Sequence, residues 1–167
     1  MKNIELKLVA ELIKNSRRSD RELGKILNVS QPTISRVRTR LEKEGYLREY
    51  TAIPDFVKLG FGLAAITLVR LRRGATEAEL NAARQTAIET LTGTSMDGCV
   101  LLNEGLGGGY NGVLISFHKN YSDYAALLKG IKGYALVDTS DTLSFLIDLS
   151  DKNQYRNFTL STLAKCI

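Results

Sequence analysis

The segment from Asn28 to Arg40 concentrates side chains that bind polyanions. It reads NVSQPTISRVRTR, with three arginines, four hydroxyl side chains and no acidic residue. Arginine pairs with guanine or phosphate, glutamine with adenine, and Ser and Thr with either bases or phosphates. A solvated helix more often interleaves acids, as this chain does directly afterwards at Glu42 and Glu44. The pattern therefore predicts a surface that binds double-stranded DNA.

The residues expected to contact DNA fall into two groups. Outward positions of the basic helix are expected to reach base edges: Gln31, Thr33, Ser35, Arg36, Thr39 and Arg40. Neighbouring basic or hydroxyl side chains are expected to contact phosphates: Arg17, Arg18, Arg21, Lys25, Ser30, Arg38, Lys43 and Arg48. Arg38 is placed in the second group because helical periodicity sets it at the edge of an inward stripe formed by Ile34, Val37 and Leu41.

Helix-start and helix-stop signals in the first third of the chain predict a helix-turn-helix. Apolar residues at helical spacing predict a first helix over residues 3–15. Ser19 and Glu22 form a capping box that begins a second, short helix. Asn28 tolerates the left-handed backbone of the sharp turn that follows, and Gly24 is small where the third helix must approach the second.

The third helix and the segment after it complete this module, which we place at residues 1–53. Ser30 is the expected cap of the helix, and Gly45 is expected to end it. Strand-forming residues then precede Pro54, which predicts a short wing or hairpin: Tyr46, Leu47, Tyr50 and Ile53.

The net positive charge of the chain comes from the same region. Residues 1–50 contain 12 Lys and Arg against 7 Asp and Glu, so they carry the whole net charge of +5. Residues 51–167 contain 11 of each sign. A basic module joined to a neutral one indicates a polyanion-binding head on a body with another role.

The sequence patterns after the linker at residues 54–61 predict a second, α+β domain over residues 62–150. Strand and helix patterns alternate as β-α-β-β-α-β, over residues 64–71, 76–91, 97–103, 112–118, 121–131 and 135–149. This order is the split form that gives a four-stranded antiparallel sheet with two helices on one face. The other face of this sheet would have no helix against it, which predicts that two copies of the chain form a homodimer through this domain. The remainder, 151–167, is an additional tail with a short helix near 159–166.

Other candidate sites have weak sequence support. The run EGLGGGYNG at residues 104–112 satisfies G-x-G-x-x-G, but it lies between two predicted strands and therefore predicts a hairpin loop. His118 is the single histidine, and it has no ligand cluster at metal spacing, so neither a metal nor a cofactor is expected. Cys99 and Cys166 indicate reduced thiols of a cytoplasmic protein. The longest apolar run, 59–69, is too short to span a membrane.

Taken together, the two halves resemble the Lrp/AsnC family, the feast/famine transcription regulators. The matching stretches are RELGKILNVSQPTISRVRTRLEKEGYL, YTAIPDFVKLGF and the βαββαβ body. The resemblance implies a winged helix-turn-helix joined to a ferredoxin-like effector domain, called RAM. It also implies dimers through the sheets, which often assemble to tetramers or octamers, and an effector that is commonly an amino acid.

The resemblance places the effector near the loop that joins the second and third strands, which here contains Gly107, Gly108, Gly109, Tyr110 and Asn111. The family usually has an aspartate just before the third strand, where this chain has Asn111. An ammonium group would therefore lack a charged partner at this position, which points to a different ligand or to none.

Three functions follow from these patterns. The favoured one is a sequence-specific transcription regulator that binds a pseudo-palindrome as a dimer. A non-specific architectural DNA-binding protein is the second. The third is an enzyme, because siroheme decarboxylases look similar to this chain in their two-domain architecture. The single histidine and the concentration of basic residues on the recognition helix count against an enzyme.

Overall fold

The computed structural model describes residues 2–72, 74–92, 98–134, 136–153 and 156–167. The chain divides into two units, one comprising Met1–Pro54 with Tyr155–Ile167 and the other Asp55–Gln154. Asp97 and Ala135, which the sequence assigns to the starts of strands, lie outside the described residues.

The first unit contains three helices whose ends follow the predicted capping signals. They are α1 (Asn3–Lys14), α2 (Asp20–Leu27) and α3 (Gln31–Lys43). The Ser19 hydroxyl accepts the amide hydrogen of Glu22 at 3.3 Å, and the Glu22 carboxylate accepts the Ser19 amide hydrogen at 2.7 Å. Asn28 adopts φ 54° and ψ 47°, the left-handed conformation that the turn requires. Ser30 caps α3, as predicted.

The core of this unit lies where the three helices meet. Its buried residues come from all three: Leu8, Leu12, Leu23, Ile34, Val37 and Leu41. Burying one such side chain contributes roughly 1.5–3 kcal/mol, so this cluster supplies the main force that holds the helices together. Because its α3 members occupy the inward stripe, the opposite face of that helix is left to solvent.

Gly24 of α2 lies against the backbone of the turn that leads into α3. A Cβ atom at this position would lie 2.8 Å from the backbone oxygen of Val29. We expect Gly24→Ala to lower the free energy of unfolding of this unit by roughly 1–3 kcal/mol, because the backbone must move to relieve the overlap. Thermal unfolding measures this change. Gly130→Ala is the matched control, since Gly130 is also helical but has open space around it. An equal effect of both substitutions would contradict the close approach.

The segment after α3 differs from the prediction. Residues 46–54 contain no strand, so the expected strand or hairpin of the wing is wrong. The Tyr50 side chain instead returns to α3, where its hydroxyl donates to Glu42 at 2.6 Å and the Arg38 guanidinium lies 5.7 Å from its ring centre. Burial and the Glu42 hydrogen bond raise the pKa of Tyr50 to about 12. Packing against a helix has here replaced strand pairing, which needs a second run with a matching register.

The C-terminal tail belongs to this first unit. A 3₁₀ helix, Ser161–Lys165, forms within the predicted helical segment and packs against α1. The sequence predicted the helical turn but gave no indication of its packing partner.

The second unit has the predicted order of strands and helices. Its elements are β1 (Leu63–Leu71), α4 (Glu77–Thr92), β2 (Cys99–Gly107), β3 (Tyr110–His118), α5 (Tyr121–Lys132) and β4 (Val137–Asp148). The strands form one antiparallel sheet in the order β2-β3-β1-β4. β2 and β3 extend further into the glycine-rich stretch than predicted, so that a short hairpin replaces the long loop.

The two faces of this sheet differ in burial. On one face, Val69 and Leu114 form a buried cluster with Ile131 of α5. On the other, apolar side chains stand opposite one another in the register of β1, β3 and β4, among them Ile66, Ile115 and Phe145. Phe145 is 68% exposed. Phe56 of the linker stacks on Phe117 with ring centres 4.2 Å apart and thus covers one end of this second face.

Candidate nucleic-acid interface

The outward face of α3 forms a shallow groove that carries four of the six predicted base-reading side chains, all but Gln31 and Thr33. Its lining consists of Pro32, Ser35, Arg36, Thr39, Arg40 and Lys43. Ser35, Arg36 and Thr39 are exposed. Within the described part of the chain, the Arg36 guanidinium has no intramolecular hydrogen bond or ion pair, so its donors face solvent. A helix face of this kind can enter the major groove and present bidentate donors to guanine.

Two other predicted base-reading residues have intramolecular partners. The Arg40 guanidinium pairs with the Glu5 carboxylate of α1 and lies 3.9 Å from Glu44. The Thr33 hydroxyl lies 2.8 Å from the Ser30 hydroxyl and so takes part in the cap of the helix. Both side chains are partly buried, and both are held by the protein itself.

Glu5 is a functional candidate that the sequence alone did not single out. Its side chain is only 8% exposed, and the Lys2 amide donates to it at 2.9 Å. This backbone hydrogen bond, followed by the Arg40 guanidinium, holds the pKa of Glu5 below its usual value. The carboxylate is therefore charged at neutral pH and anchors Arg40 to α1. No local sequence signal relates the two residues, which lie on different helices.

The predicted phosphate contacts also divide into free and paired cations. Arg18 pairs with Glu11, and Arg38 pairs with Asp20 at 2.7 Å while donating to the Arg18 backbone oxygen at 3.2 Å. The remaining basic side chains of this group are exposed and have no ion-pair partner among the described residues: Arg17, Arg21, Lys25, Lys43 and Arg48.

A second shallow groove lies at the turn between α2 and α3. Its lining includes Arg21, Lys25, Ser30 and Gln31. Asn28 also lines it, a residue that the sequence analysis assigned to the turn alone. The amide groups at the start of α3 carry the positive end of its helix dipole, and an Arg and a Lys lie beside them. This arrangement suits a phosphate group.

The glycine-rich segment forms the tip of the β2–β3 hairpin. Gly107 ends β2, and Gly108 and Gly109 form the two-residue turn with φ values of 57° and 85°. Left-handed conformations at both positions favour glycine and are typical of a type I′ hairpin turn. Because a strand follows the turn, the segment lacks the strand-to-helix geometry of a dinucleotide site.

The hairpin tip is attached to the end of β1. The Arg70 Nε donates to the Gly109 backbone oxygen at 2.8 Å, and its guanidinium lies 5.3 Å from the centre of the Tyr110 ring. The Asn111 Oδ1 accepts the amide hydrogen of Leu71 at 2.7 Å. Asn111 thus has a structural partner on β1, which an aspartate in its place could also hold.

His118 is packed inside the second unit. Its Nε2 lies 2.8 Å from the Ser116 hydroxyl, and its ring meets Tyr124 edge to face at 5.5 Å. Burial lowers the pKa of His118. Among the described residues, no three His, Cys, Asp or Glu side chains are grouped as metal ligands would be. The described helices are all too short or too polar to cross a membrane.

Comparison with known proteins identifies relatives of the N-terminal region. A family model for a winged helix-turn-helix DNA-binding domain matches residues 1–48. The HTH-type transcriptional regulator PH0061 of Pyrococcus horikoshii is 42% identical over 67 residues, which are 40% of this chain and 45% of that protein. LrpC of Bacillus subtilis is 38% identical over 63 residues, which are 38% and 44% of the two proteins. The chain therefore aligns in sequence with less than half the length of these curated relatives.

Solved structures extend the likeness to the whole fold. The crystal structure of PH0061 superposes with a TM-score of 0.73 at 25% identity, over 95% of this chain and 97% of that one. The transcriptional regulator NMB0573 of Neisseria meningitidis, solved as a complex with L-Met, gives 0.74 at 19% identity, over 96% and 95%. LrpC gives 0.67 at 20% identity, over 93% and 99%. The homologues and structural neighbours of this chain are thus Lrp/AsnC-family transcriptional regulators, with which it shares the helix-turn-helix domain and the fold.

Proposed function

We propose that this protein is a DNA-binding transcriptional regulator that reads a specific sequence as a homodimer. The observation that carries the proposal is the outward face of α3, which is exposed, basic and free of acidic residues along its groove. That the relatives are HTH-type transcriptional regulators supports a regulatory rather than an enzymatic role.

We assign direct base contacts first to Arg36, Ser35 and Thr39, with Gln31 at the start of the helix. Their side chains are exposed and face away from the core of the unit. Arg40 and Thr33 contribute less, because Glu5 and Ser30 already bind them. The free cations around α3 are assigned to the phosphates: Arg17, Arg21, Lys25, Lys43 and Arg48. Arg18 and Arg38 primarily hold the unit together through their ion pairs.

The open face of the sheet is proposed as the dimer interface. Leu143 and Phe145 are 52% and 68% exposed. Phe145 continues the row of Ile66 and Ile115 across the sheet, and Leu143 continues the neighbouring row of Leu68 and Val113. An apolar surface of this extent favours burial, and a second copy of the same face provides a self-complementary cover. Two helix-turn-helix units per dimer would then read two half-sites about one helical turn apart or a multiple of it. Tetramers or octamers can form from such dimers.

A small-molecule effector is a further part of the proposal. NMB0573 was solved with L-Met, which supports an effector in proteins of this fold. In this chain we assign the effector contacts to the β2–β3 hairpin tip, at Gly107, Gly108, Gly109, Tyr110 and Asn111. The backbone of the glycines allows a ligand to approach closely.

The test of the proposed function is binding to DNA from the protein's own promoter and to random DNA of equal length, at several salt concentrations. A preference of about a thousandfold or more supports a sequence-specific regulator. Equal binding to both DNAs with a steep salt dependence indicates an architectural protein. Repeating the titration with a pool of amino acids tests for the effector, which should shift the affinity.

Substitution of Lys25 tests the phosphate contacts. Lys25→Ala should weaken binding to specific and random DNA by the same factor and lower the salt slope by about one, because one fewer counterion is released. Fluorescence anisotropy at four salt concentrations measures both quantities. Lys58→Ala is the control, since Lys58 lies in the linker and pairs with Asp55 at 3.5 Å. An unchanged slope in Lys25→Ala would remove this residue from the interface.

A further inference from the structure

The helix-covered side of the second unit contains a cavity of about 470 Å³. It lies between α4 and the sheet, and residues of β1, β2, β3, α5 and the start of β4 complete its wall. Small-molecule sites occupy about 300–1,000 Å³, so this space has the size of such a site. The entire lining comes from one chain, and of the residues assigned to the effector at the hairpin tip it includes Asn111 but not Gly107, Gly108, Gly109 or Tyr110.

The cavity lies where the described side chains of α4 do not pack closely on the sheet. Among the described side chains of α4, none is buried, whereas α5 buries Tyr124 and Ile131. Two small residues also keep the space open: Ala83 on α4, and Gly112 on the opposing strand β3. An empty apolar space lowers stability in proportion to its volume. A ligand that filled the cavity would make van der Waals contacts with its lining and so recover part of that stability.

The lining determines the class of ligand. Most of the wall is hydrocarbon, contributed by Val69, Leu71, Leu80, Leu102, Leu114 and Ile131. Two charged side chains reach the cavity, Arg84 and Glu104, and they bind each other, with Arg84 Nη2 2.9 Å from Glu104 Oε2. Arg84 also donates to Asn81 at 2.5 Å. A charged ligand would therefore meet no unpaired counter-charge in this lining and would lose its hydration without compensation.

From this cavity we propose that the second unit binds one small, uncharged and largely apolar molecule between α4 and the sheet. Its apolar body would contact the aliphatic wall, and a hydrogen-bonding group would face the amide and carboxylate oxygens at the rim. The site is independent of DNA recognition, so it can be tested without DNA and its failure would leave the proposed function intact.

The test compares two fluorescent probes that share one aromatic framework, neutral N-phenylnaphthylamine and its anionic relative anilinonaphthalenesulfonate. Titrated into the full chain, the neutral probe should bind saturably with one site per chain. The anionic probe should bind at least about tenfold more weakly, because its sulfonate would be buried without a partner. The neutral probe should also raise the melting temperature of the chain. The absence of saturable binding, or equal binding of both probes, would overturn the proposal.

A matched pair of variants locates the site. Ala83→Phe should fill the cavity and weaken binding of the neutral probe by about tenfold or more. Ala82→Phe should retain binding, since Ala82 is the exposed neighbour on the same helix. Circular dichroism checks that both variants fold, and Leu80→Trp offers a second way to fill the space. Equal binding by Ala83→Phe and Ala82→Phe would place the probe elsewhere, for example on the open sheet face. If both Ala83→Phe and Leu80→Trp unfold, the proposal is tested by the comparison of the neutral and anionic probes on the unaltered chain.

Discussion

Phe145→Glu should convert the proposed dimer to a monomer and abolish high-affinity DNA binding. Phe145 is 68% exposed on the open face of the sheet, where its register partner on β1 is Ile66. Aromatic residues at the centre of an interface dominate its energy, and a buried carboxylate without a partner adds a further penalty. We expect dimerisation to weaken by roughly a hundredfold or more. Analytical ultracentrifugation over a range of concentrations measures the change.

DNA binding provides a second readout of the same variant. A monomer carries one recognition helix, so it loses the linkage between two half-sites that raises the affinity of a dimer. Tyr121→Glu is the control, because Tyr121 is also exposed and aromatic but lies at the start of α5 rather than on the open sheet face. It should leave both the mass and the DNA affinity unchanged. A Phe145→Glu protein that remains dimeric would show that the dimer uses another surface.

Arg36→Ala should weaken binding to the specific site by about 5- to 150-fold, which corresponds to roughly 1–3 kcal/mol. Arg36 is the exposed arginine at the middle of α3 and has no intramolecular partner within the described residues, so its donors are available to a base pair. Binding to random DNA should fall much less. Selection of preferred sites from a random DNA library should show relaxed preference at one position in each half-site.

Comparison with Arg40→Ala sharpens this test. Both arginines lie on α3, but Arg40 is paired with Glu5. Arg40→Ala should reduce the preference for specific over random DNA less than Arg36→Ala does. It should also lower the stability of the first unit, because the buried Glu5 carboxylate loses a charged partner. Losses in the Arg36→Ala variant that are equal on specific and random DNA would reassign Arg36 to a phosphate contact.

Local sequence signals were sufficient to predict the three helices of the first unit up to the end of α3. Ser19 with Glu22, Asn28 and Ser30 act over one to three residues, so their roles follow directly from the backbone groups they satisfy. The outward and inward faces of α3 follow from helical periodicity. The order of strands and helices in the second unit was also predictable, because the alternation of patterns along the chain determines it.

Contacts between distant residues were decided by the tertiary structure. The Glu5–Arg40 pair joins residues 35 positions apart, and the pairing of Arg38 with Asp20 likewise joins different helices. These contacts change which arginines are free for DNA, although composition makes all of them equal candidates. The absence of a strand at 46–54 has a similar cause, since Tyr50 finds partners on α3.

The sequence by itself determined the module types, the helix ends and the acid-free face of α3, because each depends on neighbours along the chain. The tertiary structure alone decided which cations are free, where the C-terminal 3₁₀ helix packs and how the hairpin tip is held by Arg70. It also decided that α4 leaves a cavity over the sheet. Such features depend on distances between side chains that are remote in sequence, and no local pattern encodes those distances.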